Sequence, residues 1–404
     1  MLNLAFVILV LILFCLLTWR HPVAALAFCF IFFVMFWQLV SVSFLEAGAY
    51  TPELMVWTYT TGAASRLSVA LFFLLTGGWV GFRLFFNGPK EKFKGVYPEW
   101  TLVLSILILI ISSTVLFFYA PSDLSMWRAT FLAENQSALR DVLLKYLPLL
   151  SFLGGVSSVS SVQPTLRLSG YISMCYLLSV LVLYGHKFSG LVSVLFPFLL
   201  GTGFSLYYLL KDTHLVRETL KRVFFLLIFS GLMMVRGFFL YLAAHYQEAS
   251  SPGVLSKSEI AHSLTSYLTE RILLLQGAMW WVVDRSIVKD ANSYSWTKVW
   301  NYSFTCTSDR PFNSFLTEKY AGADRLRYLR ERRVYFEGTS PAIYYELLGP
   351  AGPVLSFFVF GFVYSCFVVY LVRRLTTGNL VHVALIFITL MPIDCGGRES
   401  LDQF

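Results

Sequence analysis

Residues 101–120 read TLVLSILILIISSTVLFFYA, twenty positions without one charged side chain. Coiled as an α-helix, twenty residues span about 30 Å, the thickness of a bilayer's hydrocarbon core. An outer-membrane strand needs only about 9–11 residues, so the run points to a helix rather than a barrel strand. Similar runs recur on both sides of it. Ten apolar segments can be drawn, at 2–19, 22–45, 67–86, 101–120, 146–164, 168–185, 188–210, 223–244, 346–372 and 380–395. The pattern predicts an all-α polytopic membrane protein with about 10 transmembrane helices. The first segment has no basic n-region and is read as a span rather than a cleaved leader. The fifth, YLPLLSFLGGVSSVSSVQP, is diluted by Gly and Ser, which suit close helix packing within a membrane.

Composition agrees with that reading. Of 404 residues 57% are hydrophobic and 17% aromatic, with a mean hydropathy of +0.67. Charged residues make up 13%, about half the share of a soluble protein. A soluble domain, a disordered chain, a collagen, a coiled coil and a disulfide scaffold are all excluded. Cys15, Cys29, Cys175 and Cys366 sit inside apolar runs, Cys395 ends one, and Cys306 lies in a polar stretch. No CxxC occurs, so the cysteines read as small apolar side chains rather than a redox or metal framework.

Sidedness follows from basic residues on the short connections. One alternate set carries Arg20, Arg83, Lys90, Lys92, Lys94, Arg167, Lys211, Arg217, Lys221, Arg222, Arg373 and Arg374, twelve in all. The opposite set and the C-terminal tail carry Arg66, Arg128, Arg140, Lys145, Lys187 and Arg398, or six. The richer set is expected in the cytoplasm, with both termini outside. The net charge of +8 then reflects inner loops, not a nucleic-acid surface.

One connection is unlike the others. Residues 245–341 form a 97-residue insert holding 12 Lys/Arg and 10 Asp/Glu. Loops beyond about 60 residues escape the charge rule, so this content does not oppose an external placement. Its many aromatic residues argue for one large folded extracytoplasmic loop rather than disorder. The chain divides into 1–244 (helices 1–8), 245–341 (the loop domain) and 342–404 (helices 9–10 and the tail).

Four places are chemically unusual. Arg236 lies inside the eighth span, where a guanidinium costs roughly 2.5–3.5 kcal/mol unless an anion or cavity receives it. In ERILLLQGAMWWVVDR, residues 270–285, an apolar core of about 13 residues is too short to span and fits a re-entrant or interfacial helix. Its Trp280 and Trp281 suit the headgroup layer or a sugar-stacking platform, and Arg271 and Arg285 stand at its two ends. In DRLRYLRERRVYFEG, residues 324–338, Arg325, Arg327, Arg330, Arg332 and Arg333 crowd nine positions. Arginine grips phosphate oxygens in pairs and keeps its charge when partly desolvated. In residues 338–365, Ser340 is placed to cap a helix with Pro341 in its first turn, and Gly and Pro at 349–353 interrupt the start of the ninth span. Broken helix ends near a membrane surface are frequent anion or sugar sites.

The order of these features carries a resemblance. An Arg236-Gly237 pair in a span, a long external loop, then Ser340-Pro341, Glu346 and Gly349-Pro-Ala-Gly352 leading into the next span resembles the bacterial O-antigen and exopolysaccharide repeat-unit polymerases of the Wzy type. The match covers roughly residues 225–372, and Pro-Ala-Gly stands where the family usually has Phe-Gly before the last glycine. The resemblance implies a membrane glycosyltransferase of the bacterial inner membrane with its large loop in the periplasm. Such an enzyme transfers the growing glycan from undecaprenyl pyrophosphate to a sugar hydroxyl of the next lipid-linked unit. It implies lipid-linked oligosaccharide and membrane lipid as partners, together with a chain-length regulator protein, and no nucleic acid. No cofactor and no metal are expected. Positive charge is needed around the pyrophosphate leaving group, with Arg236, Arg271, Arg285, Arg325, Arg327, Arg330, Arg332 and Arg333 as candidates. A base or proton acceptor is needed for the hydroxyl, with Glu346, His245 and His262 as candidates. Trp280, Trp281 and Tyr344 are candidate sugar contacts.

Three other readings share parts of this pattern. An O-antigen ligase is one. A polyprenyl-phosphate-sugar transferase is another, since it often carries acidic residues in its first external loop, where Glu46 and Glu53 lie here. A lipid-linked oligosaccharide transporter is the third, opposed by the absence of internal repeats and the one-sided charged loop.

Overall fold

In the computed structural model the apolar runs are helices. The structure describes residues 2–20, 22–51, 56–86, 97–121, 135, 137–184, 188–208, 213–249, 275–289, 297, 319–320, 322, 344–346, 348–377, 380 and 382. Helix α1 is Leu2–Arg20, α2 Pro22–Glu46, α3 Ala63–Phe85, α4 Glu99–Phe118, α5 Ala138–Ser160 and α6 Pro164–Leu183. They are followed by α7 Phe188–Tyr208, α8 Thr213–Ala249, the short α9 Leu275–Asp284 and α10 Gly352–Thr376. A π-helical segment, Arg285–Lys289, continues α9, and a 3₁₀ turn, Gly349–Ala351, leads into α10. The one departure from all-α structure among the described residues is a hairpin between α2 and α3, pairing Tyr50 with Trp57 and Thr51 with Val56.

Seven stretches among the described residues are long and apolar enough to cross a bilayer: Leu26–Glu46, Ala63–Phe85, Glu99–Phe118, Ala138–Ser160, Pro164–Leu183, Gly190–Tyr207 and Gly349–Leu375. The chain is a multi-pass, helical membrane protein. Helices outrun the apolar runs where polar turns extend them beyond the hydrocarbon. Helix α5 starts eight residues before its run, because Ser137 accepts a hydrogen bond from the Arg140 backbone N–H (3.4 Å) and Asp141 sits in the first turn. Helix α8 has 37 residues, about 55 Å of helix and more than a bilayer needs. The last predicted segment lies outside the described residues apart from Leu380 and His382.

The chain forms two compact units. The second gathers α4–α8 and the last turns of α10, beyond Val368. Its core is Leu109, Leu177, Leu178, Leu191 and Phe198. The Gly- and Ser-rich fifth segment is a tightly packed helix here. A Cβ at Gly155 would stand 2.1 Å from the Phe198 carbonyl oxygen.

The first unit gathers α1–α3, the hairpin, α9 and α10 as far as Val368. Helices α3 and α10 touch backbone to backbone, and a Cβ at Gly77 would lie 2.2 Å from the Phe358 carbonyl oxygen. Their contacts advance together, from Phe73 against Phe358 to Gly81 against Ser365, so the two helices run parallel. Both therefore start on one side of the membrane. Helix α9 lies against the last turns of α2, where the Gly277 N–H donates to Ser41 Oγ (2.7 Å) and Trp280 Nε1–H to Gln38 Oε1 (3.0 Å). Gln38 precedes the end of α2 by eight residues, so α9 reaches about 12 Å below that end.

Candidate functional site

Helix α9 is apolar on every side and is buried accordingly. Trp280 and Trp281 are 1% and 0% exposed, and the Trp281 N–H donates to the Tyr59 carbonyl (2.9 Å). Both rings, read from the sequence as a sugar platform or headgroup anchors, are enclosed by protein here. The rings fill the interior of the first unit, where Trp280 meets Tyr345 and Phe357 edge to face.

Asp284 ends this apolar helix with no exposed surface. A carboxylate in that position needs ionic and hydrogen-bonding partners. Arg66, in the first turn of α3, donates Nε–H to Asp284 Oδ1 (2.6 Å) and Nη2–H to Oδ2. The Tyr345 hydroxyl donates to Oδ1 at 2.5 Å. Burial pushes the Tyr345 phenol well above its ordinary value, and the Asp284 charge adds to the effect, so it stays protonated and donates.

The next residue, Glu346, is equally buried. It pairs with the Lys319 ammonium and accepts a hydrogen bond from the Tyr320 hydroxyl. Burial first, then the Glu346 hydrogen bond and charge, raise the Tyr320 phenol as well. Arg285 opens the π-helical segment beside Asp284 and lays its guanidinium over the rings of Tyr59 and Trp281, 5.6 Å from each centroid. Single π-turns recur at functional sites.

The Gly349–Gly352 motif brings these parts together. Gly349 has φ +62°, which an L side chain rarely adopts. A Cβ at Gly352 would lie 1.8 Å from the Tyr344 carbonyl oxygen. The two glycines let the chain carrying Tyr344, Tyr345 and Glu346 fold back onto the start of α10. Tyr344 is half-buried, with its ring edge-on to Phe357 at 5.1 Å.

Glu46 has a different task. Its Oε1 accepts from the backbone N–H groups of Thr61, Gly62 and Ala63, the free donors at the start of α3, and from the Thr61 hydroxyl. This carboxylate is committed to capping a helix. Glu53, the other acidic residue of that connection, is outside the described residues.

The structure thus places Arg285 and Glu346 in one unit, on neighbouring parts of one polar cluster. Arg236 is exposed on α8 and belongs to the second unit. Arg271, Arg325, Arg327, Arg330, Arg332, Arg333, His262, Ser340 and Pro341, with the side chain of His245, lie outside the described residues. Among the described residues no three His, Cys, Asp or Glu side chains converge to hold a metal ion.

Sequence reasoning missed Arg66, Tyr345, Lys319 and Tyr320, and took Asp284 only as the polar end of an apolar run. The local signal was present at Asp284, since an acid directly after WWVV needs a partner. Nothing local named that partner, 218 positions away.

Residues 315–394 match a family described as a family of unknown function, DUF6418. That stretch takes in Lys319, Tyr320, Glu346 and the Gly349–Gly352 turn. No curated protein and no solved structure matches the chain.

Proposed function

We propose that the protein polymerises oligosaccharide repeat units carried on undecaprenyl pyrophosphate. The observation that supports this most is the meeting of Arg285 and the Glu346 segment in one polar cluster at the starts of α3 and α10. In this reading the cluster faces the periplasm of a bacterial inner-membrane protein with about 10 spans, and residues 245–341 form its external domain. Arg285 holds the pyrophosphate of the donor lipid and stabilises the negative charge that grows as the glycosidic bond to phosphate breaks. The hydroxyl of the next unit attacks the anomeric carbon, and its proton passes to a base. Glu346 is the described carboxylate in position for this, once an incoming substrate displaces Lys319 or Tyr320 from it. Arg236, Arg271 and the arginines of residues 325–333 supply further positive charge, and a chain-length regulator is the expected protein partner.

The test is direct. Purified protein in proteoliposomes, given one lipid-linked repeat unit, should yield a ladder of longer lipid-linked chains. Transfer of a single finished chain to a lipid A-type acceptor would identify a ligase. Transport of the unit across the bilayer without elongation would identify a flippase.

A further inference from the structure

Arg66 stands outside every motif singled out from the sequence, yet it is the hub of the cluster. Its Nε and Nη2 are held by Asp284, and Nη2 also donates to the Thr61 carbonyl (2.8 Å). The pair is lopsided: Asp284 is fully buried, whereas 32% of the Arg66 side chain remains exposed. A bidentate contact fixes the guanidinium plane, so the exposed part points in one direction at the protein surface. Beside it, residues 59–62 are bracketed by two guanidiniums, Arg285 on the Tyr59 ring and Arg66 on the Thr61 carbonyl. Gly62 between them has φ +88°, and a Cβ there would come within 3.2 Å of the Arg66 guanidinium. Glu46 satisfies the α3 N-terminus from the other side, so the cap does not consume Arg66. Asp284, the carboxylate that holds Arg66, is itself fully buried and out of reach of any ligand.

We propose that Arg66 is a second pyrophosphate-binding guanidinium, paired with Arg285, and that Asp284 is its positioning residue. The identity of the anion rests on the polymerase reading; the anion site itself does not. Two arginines in fixed orientation suit the two phosphoryl groups of a pyrophosphate better than a single phosphate. Asp284 acts by holding the guanidinium in place, and Tyr345 donates to the same oxygen, Oδ1, that receives the Arg66 Nε–H.

The experiment measures equilibrium binding of farnesyl pyrophosphate to the full chain in phosphatidylcholine nanodiscs. The decisive variant is the double substitution R66Q/D284N, which leaves no buried charge unpaired and keeps the fold where Arg66→Gln alone would strand Asp284. Binding weakened tenfold or more, with the melting temperature within a few degrees of the parent, is the expected result. Arg66→Lys should recover part of it, since charge returns without the fork. Unchanged binding by the double variant overturns the proposal and leaves Arg66 a structural latch. Competition by inorganic pyrophosphate, with phosphatidylglycerol ineffective at equal concentration, supports pyrophosphate as ligand; displacement by phosphatidylglycerol overturns it in favour of an ordinary headgroup site. A parent protein that binds the probe but makes no ladder sinks the polymerase reading alone. A ladder without binding sinks the Arg66 assignment alone.

Discussion

Asp284 and Glu346 are both fully buried carboxylates, and each takes a cation and a phenol as partners. Removing a phenol leaves part of a buried charge unsatisfied, at a cost of about 1–3 kcal/mol. Tyr345→Phe should therefore lower stability by that amount in denaturation of the detergent-solubilised protein. The phenols also set a pH dependence. Both pKa values lie above the ordinary tyrosine value of about 10, so their contribution is complete below that pH. As pH rises past it toward the folded-state values, the unfolded chain ionises first and stability falls. The difference in melting temperature between the parent and Tyr345→Phe or Tyr320→Phe should be constant around neutrality and shrink only above this threshold, where the parent declines more steeply; a difference that shrinks already near neutrality would contradict the assignment. At Arg285, loss of a contact to a charged group is worth roughly 1.5–3 kcal/mol, about tenfold to more than a hundredfold in transfer rate. Arg285→Ala should lose that much elongation per molecule of inserted protein and Arg285→Lys less, while Lys298→Ala serves as a control.

At the scale of elements, glycine decides how closely helices approach. The Gly352 position faces the Tyr344 carbonyl oxygen, which is backbone and cannot swing away. Gly352→Ala must therefore displace the segment that carries Tyr345 and Glu346, and both stability and elongation should drop. Gly231, on α8, has nothing within 4 Å of an added Cβ. There Gly→Ala should be neutral or stabilise by about 0.5–1 kcal/mol, because alanine is the better helix former. Comparing the two variants' yields and melting temperatures separates a structural glycine from an incidental one. Helix α9 illustrates the opposite limit. Ten residues are too few to cross a bilayer, and the helix is held by buried packing and by N–H donation from Gly277, Trp280 and Trp281.

For the whole molecule, contacts between distant segments bear on topology. Arg66 with Asp284 joins the start of α3 to the end of α9. Within the second unit the Tyr97 hydroxyl donates to the Leu375 carbonyl (2.7 Å), joining the start of α4 to the end of α10. Both of these positions adjoin the basic connections expected in the cytoplasm. A cysteine at Thr60 or Lys257 should label in intact cells with a membrane-impermeant thiol reagent, whereas one at Lys92 or Lys221 should resist. Labelling of Thr60 and Lys257 from opposite sides would break the scheme.

By itself the sequence determined the helices and their membrane character, because hydropathy over twenty consecutive residues is a local property that a bilayer reads directly. It also located Arg285, Glu346 and the Gly349–Gly352 turn, each conspicuous for a charge or a break beside an apolar run. The tertiary structure decided what those residues touch. The apolar run around Trp280 and Trp281 suits a headgroup layer and a protein interior equally well, since both reward aromatic surface; the choice depends on Gln38 and Tyr59, more than two hundred positions away. Arg66 and Asp284 were ordinary charges at the ends of separate segments until helix packing set them together. Pairing between distant residues follows from which helix ends meet, and no local pattern of residues encodes that.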